Sequence, residues 1–77
     1  MGKNMFKTID IHGMTTCEAK KRLEQAITTA PPKCEMTVIH GYHGGQALQN
    51  MVRKLKHRRI KQKILSMNAG ETILVLE

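Results

Sequence analysis

Aromatic residues are almost absent from this sequence. Phe6 and Tyr42 are the only two among 77 residues, and tryptophan is missing. The hydrophobic content of 40% is enough for one core, but that core has to be built from Leu, Ile, Val, Met and Ala. A surface that stacks many flat ligands on aromatic rings is therefore excluded.

Cysteines and long apolar runs are also scarce. Cys17 and Cys34 form neither a Cys-x-x-Cys pair nor a disulfide framework, so we expect two reduced thiols in a cytoplasmic protein. No apolar run approaches the roughly 18 residues of a membrane span. The segment from Met1 to Phe6 lacks the apolar stretch of a signal peptide, and no membrane association is expected.

Acidic residues are missing between Glu35 and Glu71, whereas the net charge of the chain is +7. Seven basic residues fall within that gap: Arg53, Lys54, Lys56, Arg58, Arg59, Lys61 and Lys63. Such a basic block, with a sequence pI near 9.9, indicates phosphate-rich partners such as nucleic acid. The alternative is a solvated face that keeps a small protein soluble.

Hydrophobic periodicity predicts four strands and two helices. Lys7 to Ile11 alternates polar and apolar residues, as a strand with one buried face does. Apolar residues then recur at helical spacing behind a capping box of Thr15 and Glu18, which predicts a helix over roughly 16–29. The other predicted elements are a strand over 36–39, a second amphipathic helix after Gly45, and a terminal hairpin over 61–67 and 72–76.

The element order β-α-β-α-β-β predicts an α/β domain built as a two-layer sandwich. Right-handed crossovers keep both helices on one face of the sheet if the first three strands step in one direction. The apolar run over 73–76 then returns between strands two and three, and Lys61 and Lys63 mark strand three as a charged edge. We expect a mixed four-stranded sheet of order 1-2-4-3, with a domain over 7–77 and an N-terminal tail over 1–6.

In this topology the carboxyl ends of strands one, two and three meet at one rim, where ligands of open α/β sheets usually bind. Asp10 and His12 end strand one, and Asn68 and Gly70 follow strand three. The loop after strand two contains His40, Gly41, Tyr42, His43, Gly44 and Gly45. Glycines let main-chain N–H groups approach an anion, and the second helix begins directly afterwards, so a phosphate-binding loop is predicted.

Asp10 and His12 are the candidate catalytic residues. Two positions apart on a strand, they lie on one side, where the carboxylate can set the tautomer of the imidazole. Such a pair can perform general acid/base chemistry or hold a divalent metal such as Mg²⁺ or Mn²⁺. The alternative is a structural turn in which Asp10 binds main-chain N–H groups. His40 and His43 without a nearby cysteine do not make a closed zinc site.

Three sequence blocks together carry a family resemblance. They are Ile9-Asp10-Ile11-His12-Gly13, then Val38-Ile39-His40-Gly41-Tyr42-His43-Gly44-Gly45-Gln46-Ala47-Leu48, then Asn68-Ala69-Gly70 before an apolar strand. In order and separation they resemble the signature blocks of the Smr (small MutS-related) domain, over about residues 7–77. The resemblance implies a two-layer α/β sandwich similar to the C-terminal domain of bacterial translation initiation factor three.

The resemblance also implies a function. Smr domains are known as nicking endonucleases acting on DNA or RNA, and as RNA-binding or ribosome-associated modules. By position, Asp10 and His12 match the family's Asp-x-His motif, and Gly41 with Gly44 or Gly45 matches its glycine-rich loop. The leading hypothesis is a nucleic-acid-binding endonuclease whose basic block grips phosphates while Asp10 and His12 serve the scissile one. The alternative is a non-catalytic RNA- or ribosome-binding module.

Overall fold

The computed structural model describes residues 5–41, 46–67 and 70–77. Within these ranges the chain forms six elements in the predicted order: β1 (Met5–Asp10), α1 (Thr16–Thr29), β2 (Cys34–Ile39), α2 (Gln46–Lys54), β3 (Ile60–Leu65) and β4 (Glu71–Leu76). The predicted bounds of α1 are confirmed. Both β1 and β2 begin two residues before their predicted starts, so Met5 and Phe6 are strand residues rather than part of a tail.

The four strands form one mixed sheet of order β1-β2-β4-β3, which confirms the predicted topology. β1 and β2 are parallel, and β4 is antiparallel to both β2 and β3. β1, β2 and β3 therefore run in the same direction, and their carboxyl ends share one edge of the sheet. We call this edge the rim; it comprises Asp10 to Gly13, His40, Gly41 and Gly70.

The core lies between one face of the sheet and the two helices. Alternate residues of β2 and β4 are buried, as expected when only one face of a sheet is covered. The buried apolar side chains are Ile9, Ile11, Ala19, Leu23, Ile27, Cys34, Met36, Val38, Leu48, Val52, Leu55, Leu74 and Leu76. None is aromatic, so the core has the composition expected from the sequence. Cys17 and Cys34 are both free thiols.

Side chains close both ends of α1. Thr15 and Glu18 form the predicted capping box at the start of α1. At its end, the Arg59 guanidinium donates to the carbonyl oxygens of Ile27, Ala30 and Pro31. The Ile27 carbonyl also accepts from the main-chain nitrogen of Ala30, the C-cap of α1, at 3.3 Å. The last carbonyls of a helix lack a full set of partners within it, and a cation at a helix C-terminus is also favoured by the helix dipole. Arg59, which directly precedes β3, therefore links the end of α1 to the start of β3.

Lys63 closes α2 in the same manner. Its ammonium donates to the carbonyl oxygens of Arg53 and Leu55, the latter at 2.6 Å. Partial burial of this side chain lowers the pKa of Lys63, and the nearby charge of Lys56 lowers it further. Two members of the basic block, Arg59 and Lys63, thus donate to main-chain carbonyls within the fold.

Among the residues that the structure describes, two polar side chains are buried in the core, and they bind each other. His40 is 1% exposed and Thr72 is fully buried. The Nε2 atom of His40 lies 3.0 Å from the Thr72 hydroxyl oxygen, and its Nδ1 atom lies 3.3 Å from the Gly41 carbonyl oxygen. In the neutral imidazole Nδ1 donates to the carbonyl and Nε2 accepts from the hydroxyl. The pair links β2 to β4 directly beneath the rim.

We expect Thr72→Val to destabilise the domain by about 1–3 kcal/mol, because the substitution keeps the shape but leaves a buried nitrogen of His40 unpaired. Thr37→Val is the matched control, since Thr37 is half-buried on the uncovered face of the same sheet. Urea unfolding of both variants measures the difference. Equal stability of the two variants would show that the His40–Thr72 bond contributes nothing.

Candidate functional site

Asp10 and His12 form a hydrogen-bonded pair at the end of β1. The Asp10 Oδ1 atom accepts a hydrogen bond from the His12 Nδ1 atom, and it also accepts one from the His12 main-chain nitrogen at 3.0 Å. Both side chains are open to solvent, with exposed fractions of 51% for Asp10 and 66% for His12. Because Nδ1 is the donor, the tautomer leaves Nε2 without a proton in the neutral imidazole.

The pair stands on a tight turn that the sequence encodes locally. The main-chain nitrogen of Met14 donates to the Ile11 carbonyl at 3.2 Å, and Gly13 lies between them with φ +78°. A turn with a positive φ at its third residue favours glycine. The Asp10 carboxylate binds the His12 N–H two residues on, which is the usual way an Asp stabilises such a turn. Asp10 therefore supports the turn and orients the imidazole with the same oxygen.

The hydrogen bonds from His12 hold the pKa of the Asp10 carboxyl below its ordinary value. The side-chain bond has the largest effect and the main-chain bond follows, while the charges of His12 and Arg22 lower the pKa further. The carboxylate accordingly remains ionised at neutral pH, ready to stabilise a positive charge that develops on the His12 ring.

The end of β2 lies directly against this pair. A side chain at Gly41 would bring its Cβ to 3.1 Å from the His12 Cβ, and Gly41 itself has φ +81°. The positive φ therefore favours glycine at position 41, and a side chain there would also crowd His12. The main-chain nitrogens of His40 and Gly41 both donate to the Gly70 carbonyl oxygen, at 2.9 and 3.1 Å. The described parts of the three predicted segments do converge at one rim.

The predicted phosphate-binding loop is only partly described. Tyr42, His43, Gly44 and Gly45, together with Asn68, lie outside the described residues. Of the loop's two described members, Gly41 lies at the rim, whereas the His40 side chain is buried and bound to Thr72. The His40 ring is therefore bound within the core rather than open to a ligand.

The basic block divides into exposed and engaged side chains. Arg59 and Lys63 hold the helix ends, as described above. The remaining five members are exposed: Arg53, Lys54, Lys56, Arg58 and Lys61. We call these five residues the exposed basic cluster. The sequence alone treated all seven as available to a ligand, and for Arg59 and Lys63 this expectation does not fit the structure because their charged groups already bind main-chain carbonyls.

The exposed basic cluster lies at the opposite end of the strands from the rim. Ile60 at the start of β3 pairs with Leu76, whereas Leu65 at its end pairs with Thr72 beside the rim. Strands of six residues span about 17–20 Å, and the cluster borders the start of β3 and the end of α2. Asp10 and His12 are thus about one strand length from the cations that the sequence singled out.

A different cation is close to the pair. Arg22 lies near enough for its charge to act on the Asp10 carboxylate, and it belongs to a run of three basic residues, Lys20 to Arg22, in α1. The sequence could have indicated this contact, because the first turns of a helix that follows a strand lie near the end of that strand. From the sequence, we considered only the larger basic block downstream.

Among the described residues, no group of three His, Cys, Asp or Glu side chains is placed to hold a metal ion. The Asp10 carboxylate is the type of oxygen ligand that Mg²⁺ and Mn²⁺ prefer, so such a metal bound there would take its other ligands from substrate or water. In the same part of the chain, neither helix is long and apolar enough to cross a membrane.

Comparison with known proteins identifies the family. The Smr domain family matches residues 9–72 of the 77-residue chain. The match covers both helices, β2, β3 and the rim, with the last two residues of β1 and the first two of β4, and the chain therefore belongs to the Smr domain family, which is a family of nucleic-acid-binding domains. No curated protein and no solved structure matches the chain. The likeness to the C-terminal domain of translation initiation factor three stays a prediction.

Arg58 and Arg59 are neighbours in the basic block, but we expect their contributions to the free energy of unfolding to differ. Arg59→Met should lower the free energy of unfolding by about 2–4 kcal/mol, because several helix-end carbonyls lose a charged donor. Arg58→Met removes the same group from an exposed position and should change it by less than about 0.5 kcal/mol. Thermal and urea unfolding of the two variants provide the measurement. A stable Arg59→Met variant would return Arg59 to the set of possible ligand contacts.

Proposed function

We propose that this Smr domain binds nucleic acid and nicks phosphodiester bonds of DNA or RNA at the Asp10–His12 pair. The observation that supports the proposal most directly is the exposed imidazole whose Nδ1 atom is bonded to an ionised carboxylate. No described residue hydrogen-bonds its Nε2 atom. An imidazole held in one tautomer with a free Nε2 is the arrangement that general acid/base catalysis requires.

In the proposed reaction His12 Nε2 removes a proton from the attacking oxygen, either of water or of a ribose 2′-hydroxyl. A new P–O bond forms as the bond to the leaving oxygen breaks, and the leaving oxygen then takes up a proton. The Asp10 carboxylate stabilises the imidazolium that forms between the two transfers. Gly41, which lies against His12, leaves room for the phosphate, and α2 begins at the same edge with its positive dipole end.

The exposed basic cluster is a second group that would attract phosphates. Its five cations lie on one edge of the molecule with no acidic residue between Glu35 and Glu71 to offset them. Their distance from His12 separates the two tasks: the cluster holds remote phosphates, and Asp10 with His12 acts on one. The partner that we propose for the exposed basic cluster is DNA, RNA or the ribosome, in a cytoplasmic protein.

A non-catalytic RNA- or ribosome-binding module is the second candidate. It is favoured by the bond from the Asp10 carboxylate to the His12 main-chain nitrogen, since a purely structural turn would use the same contact. The two candidates share a binding surface and differ only in whether the imidazole performs chemistry.

Binding to nucleic acid should weaken steeply with salt, because each phosphate neutralised by a cation releases a counterion. Four or five contacts from the exposed basic cluster give a slope of log affinity against log salt of roughly −3 to −4.5. Changing Arg53, Lys54 and Arg58 to Ala should make the slope less negative by about 2–3. Fluorescence anisotropy over a salt series measures it, and a flat response would refute binding through this cluster.

Cleavage and binding should separate in variants of the pair. His12→Ala and Asp10→Asn should abolish nicking of labelled single- and double-stranded DNA or RNA while changing affinity little, since neither side chain grips remote phosphates. General acid/base help is worth about 10² to 10⁴-fold in rate, which a gel assay resolves. The assay is run with EDTA, with Mg²⁺ and with Mn²⁺.

Circular dichroism and thermal melting serve as the control, because Asp10 also supports the turn before α1. Folded variants that cleave as fast as the parent would contradict the catalytic assignment. A parent that binds nucleic acid but cleaves it under none of the metal conditions would establish the binding module instead.

A further inference from the structure

A groove runs between the outer edge of β1 and helix α1, on the side of the domain away from the exposed basic cluster. Its volume is about 820 Å³, within the range of about 300–1,000 Å³ that ligand sites occupy. Its two buried lining side chains, Ile9 and Met36, are apolar, and the half-buried Ala26 lies beside them in the lining. The groove therefore has an apolar floor although it opens to solvent along its length.

The walls of the groove carry mainly positive charge. Lys7 from β1 and Lys21 and Arg22 from α1 line it and are exposed, whereas Glu24 is its only lining carboxylate among the described residues. Thr8 and Gln25 add polar groups. An apolar floor with cationic walls suits a ligand that has flat, weakly polar faces joined by negative charges.

The edge of β1 adds main-chain donors to this groove. The Ile11 main-chain nitrogen donates inward, to the Ile39 carbonyl of β2 at 2.9 Å. In a parallel ladder the main-chain groups of alternate residues face opposite sides, so those of Phe6, Thr8 and Asp10 face outward from the sheet. An edge strand of this kind presents unpaired N–H and C=O groups to a ligand.

One part of the groove lies next to the Asp10–His12 pair along the chain. Thr8 and Ile9 line it and directly precede Asp10 on β1. Arg22 connects the two features from the helix side, since it lines the groove and its charge also acts on the Asp10 carboxylate. A chain lying along β1 would thus pass the cations of α1 on its way to His12.

We propose that this groove binds single-stranded nucleic acid, with phosphates against Lys7, Lys21 and Arg22 and bases over Ile9, Ala26 and Met36, and leads the strand to the Asp10–His12 pair. This inference rests on the proposed function and names the form of its substrate. A duplex is disfavoured because its bases are stacked inside and cannot reach an apolar floor. Single-strand-binding grooves combine cations along the backbone with aromatic side chains on which bases stack, and in this groove apolar aliphatic side chains would take the place of the aromatic rings.

The test uses the whole chain and two variants of one helix. Arg22→Ala removes a cation from the groove, and Lys20→Ala removes an equal charge from an exposed position of α1 that does not line the groove. The probes are fluorescein-labelled DNA and RNA hexanucleotides, as single strands and as duplexes, titrated over a salt series. Amide chemical shifts of ¹⁵N-labelled protein locate the bound strand.

We expect Arg22→Ala to make the slope of log affinity against log salt less negative by about 0.7 for single strands, the contribution of one phosphate contact. Lys20→Ala should leave the slope unchanged. Amides of Thr8, Lys21 and Gln25 should shift with the single strand, and duplexes of the same length should bind more weakly.

Equal effects of Arg22→Ala and Lys20→Ala, or amide shifts confined to the exposed basic cluster, would overturn the groove as the binding site while leaving nucleic-acid binding intact. Equal shifts on adding a hexaglutamate peptide would overturn it as well, because they would show a general anion or peptide groove. Absence of binding to every probe would instead refute the proposed function on which the inference rests.

Discussion

The rim of this domain depends on one carbonyl oxygen and one buried imidazole. The Gly70 carbonyl accepts from the main-chain nitrogens of His40 and Gly41, and the His40 ring binds Thr72. Together these contacts fix the end of β2 against the start of β4. Gly41 is thereby held against His12, and the spacing of the candidate site follows from a hydrogen-bonded junction in the core rather than from the exposed residues themselves.

Positive charge serves two purposes in this small protein. A core without aromatic residues buries modest area, and a domain of this size hides only about 60% of its unfolded surface, so its margin of stability is narrow. Arg59 and Lys63 add strength by donating to helix-end carbonyls that would otherwise have no partner within the helix. The other cations of the block are exposed to solvent, so the division between the two groups follows burial and the main-chain carbonyls within reach rather than residue type.

Most of the fold could be predicted from local patterns. The capping box of Thr15 and Glu18 and the apolar spacing behind it defined α1, and right-handed crossovers with an apolar terminal strand defined the sheet order. Strand starts were less accurate at β1 and β2, because pairing with a neighbouring strand extends both beyond their alternating segments. At the site, Asp10 and His12 could be paired from their spacing alone, since a strand followed by a glycine turn leaves few arrangements for residues two apart.

The sequence by itself determined the order of elements, the composition of the core and the contact between Asp10 and His12, because each depends on residues within a few positions of one another. Only the tertiary structure decided that His40 is buried against Thr72, that Arg59 and Lys63 hold helix ends, and that Arg22 approaches Asp10. Those contacts join residues that are distant along the chain. They are set by strand register and by the packing of helices on the sheet, which no local pattern encodes.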